Sequence, residues 1–571
     1  MPWESSRKIK ELAADETSFV PVKSFGSVPV NVALVFPNSY SLGMSNLGFH
    51  SMYYQINSRD DSLCHRSFLS MGPTDFSGAV VMESYQPVNL YDIVGFSVSF
   101  EMDYIHILKI LDNSRIPVFS KDRKSPLVMA GGPAVTFNPE PLAPFVDFFV
   151  IGEGEEIIHE IIDRYNALRN LPKEEILEGL SRIEGVYVPS FYDIEYDEKG
   201  GVSDFKTKGP APPRVKRRWI RDLDRYSTES VVLTPHTEFK DMFLLEVSRG
   251  CGRNCRFCMA GYCYRIPRVR SLEKIMERAE FGAKFKEKVG LVGAAVSDYP
   301  RIDELSEEFM KRGIKFSVSS LRADTLREPL VKGLAFSNHR TLTIAPEAGS
   351  QRLRKVINKG ITEEHVLDSI KMAHKYHIEN IKLYYIVGLP TETDEDIDEM
   401  IGFLSQVKKF MKSIGNKTGH LSISVNPFIP KPFTPFQWFG MESVEIISAR
   451  INKLHNRLKS QGIRVLFESP RLSEIQSALS RGDRLTGFLL HEIYRRGGKA
   501  QAYRKVRIDN KGVEFYAHRS LREEDTLPWD HIDIGLKKGF FASECRKAVK
   551  GEPTRRCDGE ICKVCNICQL K

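Results

Sequence analysis

Residues 246–258, Glu246-Val-Ser-Arg-Gly-Cys-Gly-Arg-Asn-Cys-Arg-Phe-Cys258, place three cysteines at C-x3-C-x2-C spacing in one short loop. The loop follows directly on the apolar run 243–247, which predicts a buried strand. Iron–sulfur clusters are held by cysteine thiolates, and a loop this short can curl three of them around one cluster. Because a four-iron cluster needs four ligands, Cys251, Cys255 and Cys258 would leave one iron open to a small molecule.

A structural zinc site is the alternative for this loop. Structural zinc takes four closed ligands, usually as two separated pairs. Cys263 could supply a fourth thiolate, but no second pair lies beside it in the sequence. The spacing therefore favours an iron–sulfur cluster over zinc.

The surrounding sequence predicts two α/β units. In residues 240–425, short apolar runs alternate with helical patterns, which predicts a parallel sheet closed partly or wholly into a barrel. An earlier unit, residues 28–195, shows the same alternation and predicts a parallel sheet covered by helices on both faces. The predicted barrel strands are Phe243–Val247, Val289–Gly293, Lys315–Ser320, Thr341–Ala345, Ile381–Val387 and Leu421–Val425; those of the first unit are Val30–Phe36, Ile93–Phe100, Leu127–Ala130 and Phe145–Ile151.

We expect four parts in the chain. Residues 1–195 form a Rossmann-like domain, and residues 196–235, which include the proline-rich basic stretch GPAPPRVKRR, form a linker. Residues 236–440 form the barrel, ending in the segment 426–439, whose four prolines and five aromatic residues predict an ordered loop packed across the domain. Residues 441–571 form an α+β region that ends in a cysteine-rich tail.

That tail has the pattern C-x4-C-x2-C-x2-C, with cysteines at positions 557, 562, 565 and 568. Four cysteines this close together predict a metal site formed by Cys557, Cys562, Cys565 and Cys568. The C-x2-C-x2-C run favours ferredoxin-type iron–sulfur ligation. A zinc site and a redox-active or flexible tail are the other interpretations.

Composition sets the broad class. Of the 571 residues, 42% are hydrophobic and 27% are charged, with a net charge of +8, which excludes a mainly disordered, collagen-like or membrane-embedded chain. The first residues lack the apolar core of a secretion signal. We therefore expect a cytoplasmic protein with no membrane partner, whose cysteines stay reduced.

The three-cysteine segment, with Phe257 just before its third cysteine, resembles the signature of the radical S-adenosylmethionine (SAM) superfamily. The resemblance implies that Cys251, Cys255 and Cys258 bind a [4Fe-4S] cluster whose open iron is chelated by SAM. One electron from the cluster would then cleave SAM to methionine and a 5′-deoxyadenosyl radical. It also implies a partial (βα)6 barrel, in agreement with the six predicted strands.

The resemblance continues into the later part of the barrel. The stretches TLTIAPEAGSQRLRKVINKG (341–360) and IVGLPTE (386–392) resemble the radical-SAM methylthiotransferases and their relatives. Those enzymes often have Gly-Gly-Glu after the second barrel strand. At that place this chain has Gly-Ala-Ala-Val-Ser-Asp, starting at Gly293. Glu347 has a second interpretation, as a carboxylate favoured by a helix N-terminus. The cofactor-binding residues implied by the resemblance are Phe257, Gly293, Glu347, Gly388 and Pro390.

The first unit resembles the cobalamin-binding-type domain that precedes many radical-SAM barrels. The matching stretches are residues 32–48, 91–100 and 128–156. The closest resemblance is to an uncharacterised subgroup of fused B12-binding/radical-SAM proteins. None of the fourteen histidines lies in an Asp-x-His-x-x-Gly motif, so a bound cobalamin would lack that imidazole ligand. A domain that binds no cofactor and only contacts substrate or partner is the alternative.

Taken together, these features predict a radical SAM enzyme that transfers a methyl or methylthio group. Its predicted cofactors are a [4Fe-4S] cluster and SAM. Cobalamin in the first unit, and a second iron–sulfur cluster or zinc in the tail, are possible further cofactors. The expected partner is a small electron donor such as flavodoxin or ferredoxin. No residue is identified as catalytic, and the substrate, an RNA, a protein or a metabolite, is unknown. The competing hypothesis is a non-catalytic iron–sulfur or zinc protein that recognises RNA or ribosomes through basic residues, such as the six arginines between positions 248 and 270. A redox protein that uses the tail is a third possibility.

Overall fold

The first unit is built around a six-stranded sheet in this computed structural model, which describes residues 3–69, 79–559, 564–565 and 567–570. The sheet is parallel except for its last strand, and its apolar strands are buried on both faces. In spatial order the strands are Ser62–Phe68, Val30–Phe36, Ile93–Ser97, Leu127–Gly131, Phe148–Val150 and Val186–Tyr187.

Helices cover both faces of this sheet, as predicted for an α/β unit. Phe49 and Ile157 pack in the core on one face, and Tyr104 and Ile107 pack in the core on the other. The helices of the unit are Trp3–Ala14, Tyr40–Gly43, Leu47–Asn57, Tyr104–Asn113, Pro133–Phe137, Gly154–Leu168 and Lys173–Ser181.

The second unit is a partial barrel made of two parallel sheets, which a bridge between Leu321 and Ile344 connects. The mixed α/β fold with a partial barrel is therefore confirmed. The four-stranded sheet of the barrel holds a seventh barrel strand, Arg464–Phe467, which pairs with Leu421–Pro427. This strand lies beyond residue 440, the predicted end of the barrel. In order the strands are Met242–Glu246, Lys288–Val292, Lys315–Ser317, Thr341–Glu347, Asn380–Val387, Leu421–Pro427 and Arg464–Phe467.

Helices follow the barrel strands and pack on their outer face. Alternate residues of each strand point outward, so Leu383 and Tyr385 are buried against helices while Lys382 and Tyr384 face the interior. The helices are Leu272–Gly282, Ile302–Lys311, Glu328–Phe336, Gln351–Val356, Glu363–Lys375, Asp394–Ser413 and Val444–Lys459.

The connection over residues 196–235 is packed rather than solvated. Its strand Val215–Lys216 pairs with Ile532–Asp533 of the C-terminal region. Arg217 is 6% exposed and donates to the carbonyl of Arg265. The segment 426–439 is an ordered, packed loop as predicted, because Phe436 and Trp438 are buried.

The C-terminal region is mainly helical and packs on the first unit. Leu489 and Ile493 share a hydrophobic core with Tyr104 and Ile107. Among the described residues, no helix is both long and apolar enough to cross a membrane. The remaining helices are Pro470–Arg481, Arg484–Arg495, Ala500–Lys505, Val513–His518 and Lys538–Lys550, followed by a 3-10 turn at Ile567–Leu570.

Candidate functional site

The three-cysteine loop lies at the carboxyl end of the first barrel strand, Met242–Glu246. Cys255 is buried, and Cys251 and Cys258 are partly exposed. Loss of solvation around the sulfur, together with the neighbouring thiols Cys255 and Cys251, raises the pKa of Cys258 to about 12. A thiolate at Cys258 would be stabilised by positive charge close to the sulfur, which the iron of a cluster would supply.

The loop does not have the geometry of a site for one metal ion. In the part of the chain that the structure describes, no group of three or more His, Cys, Asp or Glu side chains is arranged to hold a single ion. An iron–sulfur cluster makes a different demand, because each thiolate binds a different iron of a larger body. The donor set and its spacing along the loop thus fit a cluster.

Arg322, a cationic residue beside the loop, was not among the predicted site residues. Arg322 points its Nη1 atom at the Cys255 sulfur, 3.9 Å away, and pairs with Asp324 at 3.0 Å. Its other amino group donates to the carbonyl of Lys359 at 2.6 Å. A guanidinium held this way places positive charge beside the Cys255 sulfur. Nothing in the sequence near position 322 resembles a motif, so no local signal could have identified it.

The arginines that follow the first barrel strand form buried ion pairs and do not make an exposed basic surface. Arg249 contacts Glu153, Glu155 and Glu246 at 2.7 to 3.0 Å. Arg268 pairs with Glu153 at 2.6 Å and is 9% exposed. The alternative of an exposed basic rim receives no support from Arg249 and Arg268, because both pair with acidic residues, one of which, Glu153, comes from a distant part of the chain.

A cavity of about 630 Å³ opens inside the barrel beside the loop. Phe257 and Glu347, two of the predicted SAM-site residues, both line it. Glu347 has a left-handed backbone, with φ of 69°, and its carboxylate accepts from Lys359 at 3.1 Å. Because Glu347 precedes the helix N-cap at Ser350 by three residues, its partner is this lysine and not the helix terminus. The Oδ1 atom of Asn426, another lining residue, is buried without a hydrogen-bond partner in the described structure.

The other predicted cofactor-binding residues lie elsewhere. Gly388 and Pro390 form the turn after the strand Asn380–Val387, outside the residues that line this cavity. Gly388 has φ of 85° and donates its N–H to Glu392 at 2.6 Å. Gly293 lines a second cavity instead.

This second cavity, of about 680 Å³, lies between the first sheet and the barrel. The carboxyl ends of the first unit's strands face it, the usual ligand position in parallel sheets. Apolar side chains and glycines form most of its wall, and the hydroxyl of Ser51, buried and without a partner in the described structure, lies there too. Lining residues from the two units include Leu34, Gly95, Phe96, Met129, Gly131 and Ile157 on one side, and Met242, Leu244, Leu291 and Val318 on the other.

None of the residues that line the second cavity is a histidine, as far as the described structure extends. The nearby His50 is engaged, since its Nε2 atom contacts the Met44 carbonyl at 2.9 Å and its Nδ1 atom accepts from the Val231 N–H. Burial lowers the pKa of His50 to about 4. The wall therefore offers apolar contacts to a ligand but, among the described lining residues, no imidazole to a metal in it.

The tail cysteines divide between described and undescribed residues. Cys557 lies against the three-cysteine loop, where its N–H donates to the carbonyl of Gly252 at 2.7 Å. Cys565 and Cys568 are each 2% exposed. Cys562 falls outside the described residues.

Comparison with known proteins gives two family matches. The family described as "Radical SAM proteins, N-terminal" matches residues 48–189, and the "Radical SAM superfamily" matches residues 245–404. An uncharacterized protein of Methanocaldococcus jannaschii is 35% identical, over 79% of this chain and 89% of its own length. An uncharacterized methyltransferase of Pyrococcus horikoshii is 28% identical, over 58% of this chain and 66% of its own length.

Among solved structures, the radical SAM methyltransferase TsrM from Kitasatospora setae, with cobalamin and a [4Fe-4S] cluster bound, is 14% identical with a TM-score of 0.43. That match covers 69% of this chain and 74% of TsrM. The two family models and the Methanocaldococcus jannaschii protein match this chain in sequence, over residues that include the barrel strands, the three-cysteine loop and much of the lining of the two cavities. The chain therefore belongs to the radical SAM superfamily of enzymes.

Proposed function

We propose that this radical SAM enzyme transfers a methyl group and holds three cofactors between its two units. Cys251, Cys255 and Cys258 would bind a [4Fe-4S] cluster, the barrel cavity would bind SAM, and the second cavity would bind cobalamin. An enzyme similar in sequence is named a methyltransferase, which supports the reaction class. The substrate class stays open.

The observation that carries this proposal is the adjacency of the two cavities. Ser319 lines the cavity next to the first unit, and the following residue, Ser320, lines the barrel cavity. The two cavities therefore meet at the segment that follows the third barrel strand, so a methyl carrier in one would lie close to SAM in the other. Reacting groups held this close gain from proximity and orientation.

A bound cobalamin would supply a methyl carrier, and a [4Fe-4S] cluster held by Cys251, Cys255 and Cys258 would supply the electron for SAM cleavage. The chain's own residues would bind and orient these groups. The paired Glu347 and Lys359, with the free Oδ1 atom of Asn426, offer polar contacts to the amino acid part of SAM. Arg322 would balance the negative charge of a thiolate-bound cluster.

The binding-module hypothesis receives no support from the arginine-rich segment, because its guanidinium groups pair inside the fold. A cytoplasmic location and a flavodoxin- or ferredoxin-type electron donor remain part of the proposal. We expect the oxygen-free protein to be brown and, with SAM and dithionite, to form 5′-deoxyadenosine. A colourless protein that holds only zinc and leaves SAM intact would overturn the proposal.

Filling the second cavity is expected to block cobalamin without affecting the cluster. In Ser51→Phe, the added ring would occupy space between the two units, because the Ser51 hydroxyl lines this cavity and has no hydrogen-bond partner among the residues that the structure describes. Retention of hydroxocobalamin after desalting should fall by about tenfold or more, an affinity loss of about 1.4 kcal/mol at least. Cobalt absorbance measures the retention.

Ser51→Ala is the matched control, because it removes the hydroxyl and adds no bulk. It should keep cobalamin binding, and both variants should keep the wild-type iron content and unfold within a few degrees of the parent. Equal cobalt retention in Ser51→Phe and the parent would place any cobalamin elsewhere.

A further inference from the structure

A row of four alternating charges leads from the end of the second barrel strand to the three-cysteine loop. Asp298, which follows that strand, accepts from the Nε and Nη2 atoms of Arg253, each at 2.6 Å. Arg253 lies within the loop and also donates to Asp324 at 3.0 Å. Asp324 in turn accepts from the Nε and Nη2 atoms of Arg322 at 3.0 and 3.1 Å. The row therefore ends in a cation beside the loop.

The guanidinium of Arg322 is fixed in direction. In addition to its two contacts with Asp324, it donates through Nη2 to the carbonyl of Lys359 at 2.6 Å. The donors of a guanidinium form a rigid planar fork, so holding one side of the group also sets the direction of the other. Its Nη1 atom is thereby directed at the Cys255 sulfur, 3.9 Å away. The positive charge cannot turn away from this sulfur without breaking the contacts on the opposite side.

Little solvent reaches this row of charges. The side chains of Arg322 and Asp324 are 9% and 12% exposed, and those of Arg253 and Asp298 are 15% and 8% exposed. Charges that are largely withdrawn from water are weakly screened over a few ångströms. The electrostatic potential at the Cys255 sulfur therefore depends on Arg322 and on how far Asp324 offsets it.

We propose that Arg322 raises the reduction potential of the loop cluster and that Asp324 limits this rise. The inference rests on the proposed function, because it needs a [4Fe-4S] cluster on Cys251, Cys255 and Cys258. Reduction adds one negative charge, so a cation beside a ligand sulfur stabilises the reduced form more than the oxidised form. Net charge and hydrogen bonds to the sulfurs are among the features that set such potentials. Arg322 keeps its proton while one electron passes from an external reductant to the cluster, and no bond is made or broken.

The two opposed charges would hold the potential between two limits. With Arg322 alone, an external reductant would supply the electron easily, but that electron would pass to SAM less readily. With Arg322 removed, a reductant of the same strength would reduce a smaller fraction of the protein. Arg322 also contacts the backbone of Lys359, whose side chain pairs with Glu347 in the barrel cavity at 3.1 Å. One arginine thus connects the loop with the cavity proposed for SAM.

The test is a redox titration of the full-length protein after reconstitution without oxygen, followed by the EPR signal of the reduced cluster. Arg322→Gln removes the charge and keeps a hydrogen-bond donor. Its reduction equilibrium should shift toward the oxidised form by at least about tenfold, which lowers the potential by about 59 mV for one electron. Asp324→Asn removes the opposing charge at nearly the same shape and should shift the equilibrium the other way, by about threefold or more. Arg322→Lys keeps a positive charge and should lie above Arg322→Gln.

Arg123→Gln is the matched control. Arg123 is also buried and pairs with Asp147 at 3.1 Å, but both residues belong to the first unit. This variant should unfold at a lower temperature, because it leaves a buried carboxylate without its partner. Its potential should equal that of the parent, which separates the charge beside the loop from a general loss of stability.

Opposite shifts are the decisive result, because a purely structural role of the two residues would not move the potential in two directions. Parent potentials in both Arg322→Gln and Asp324→Asn, or shifts of both in the same direction, would overturn the inference and leave the cluster assignment intact. Should Arg322→Gln take up no iron, Asp324→Asn decides alone: a potential above the parent's supports the inference, and one at or below it overturns the inference. A parent protein without any cluster would overturn the proposed function, and this inference with it.

Discussion

Replacing Cys255 by alanine is expected to abolish iron binding at the three-cysteine loop and to reduce SAM cleavage below detection. Cys255 is the most buried thiol of the loop and the one that Arg322 faces at 3.9 Å. With two thiolates left, the cluster would lose one of its three protein ligands, and its net charge would no longer match the guanidinium beside it. Iron analysis and 5′-deoxyadenosine formation with dithionite measure the two effects.

Cys64→Ala is the matched control for this substitution. Cys64 is a buried thiol like Cys255, but it lies in the strand Ser62–Phe68 of the first sheet. Its loss should cost about 1 kcal/mol of stability through the small cavity left behind, and leave iron and SAM cleavage unchanged. Parent-level SAM cleavage in Cys255→Ala would show that the loop does not hold the cluster.

The sequence could predict the elements whose signal is local. The strand Val30–Phe36 is an almost continuous apolar run because both faces of the first sheet are covered, and Asn380–Val387 alternates buried and half-buried residues because one face lines the barrel interior. Both patterns are local in the sequence. The three cysteines were equally readable, because a cluster-binding loop needs its ligands within a few residues. These two signals were enough to identify the barrel and the loop.

The missed features depend on contacts between distant residues. The strand Ser62–Phe68 contains Arg66, which is 3% exposed because Glu16 and Glu83 neutralise it from other elements. A strand with a charged centre gives no apolar pattern. Arg322 was missed for the same reason, since its role arises only when the third barrel strand brings it to the loop.

The dependence on distant partners also explains why the sequence left the role of the arginine-rich segment open. Six arginines in a short stretch suggest an outer basic surface only while their partners are unknown. In the fold, Glu153 lies between Arg249 and Arg268 and joins the first unit to the barrel. Burying such charges is costly unless they are paired, so these pairs fix how the two units meet around the second cavity.

Gly252→Ala is expected to detach residues 552–557, called the strap here, from the three-cysteine loop, which they contact through backbone hydrogen bonds. A Cβ at Gly252 would lie 2.1 Å from the carbonyl oxygen of Cys557, a backbone atom that can move only with the strap. The displacement would break the hydrogen bond from the Cys557 N–H to Gly252 and weaken those of Arg555 and Thr554. One broken bond and two weakened ones cost about 2 kcal/mol together, so amide hydrogen exchange in residues 552–557 should speed up by about 30-fold.

Gly261→Ala separates this effect from a general intolerance of the loop to side chains. Gly261 lies just after the third loop cysteine, and its added Cβ would lie 3.6 Å from the nearest atom, the carbonyl oxygen of Cys251, an ordinary contact distance. This variant should keep slow exchange in the strap and full iron content. Gly252→Ala should lose iron in proportion to the strap's opening, because the strap forms one wall of the loop that holds the cluster. Fast exchange in the strap with unchanged iron at the loop would show that the three cysteines hold their cluster without the C-terminal chain.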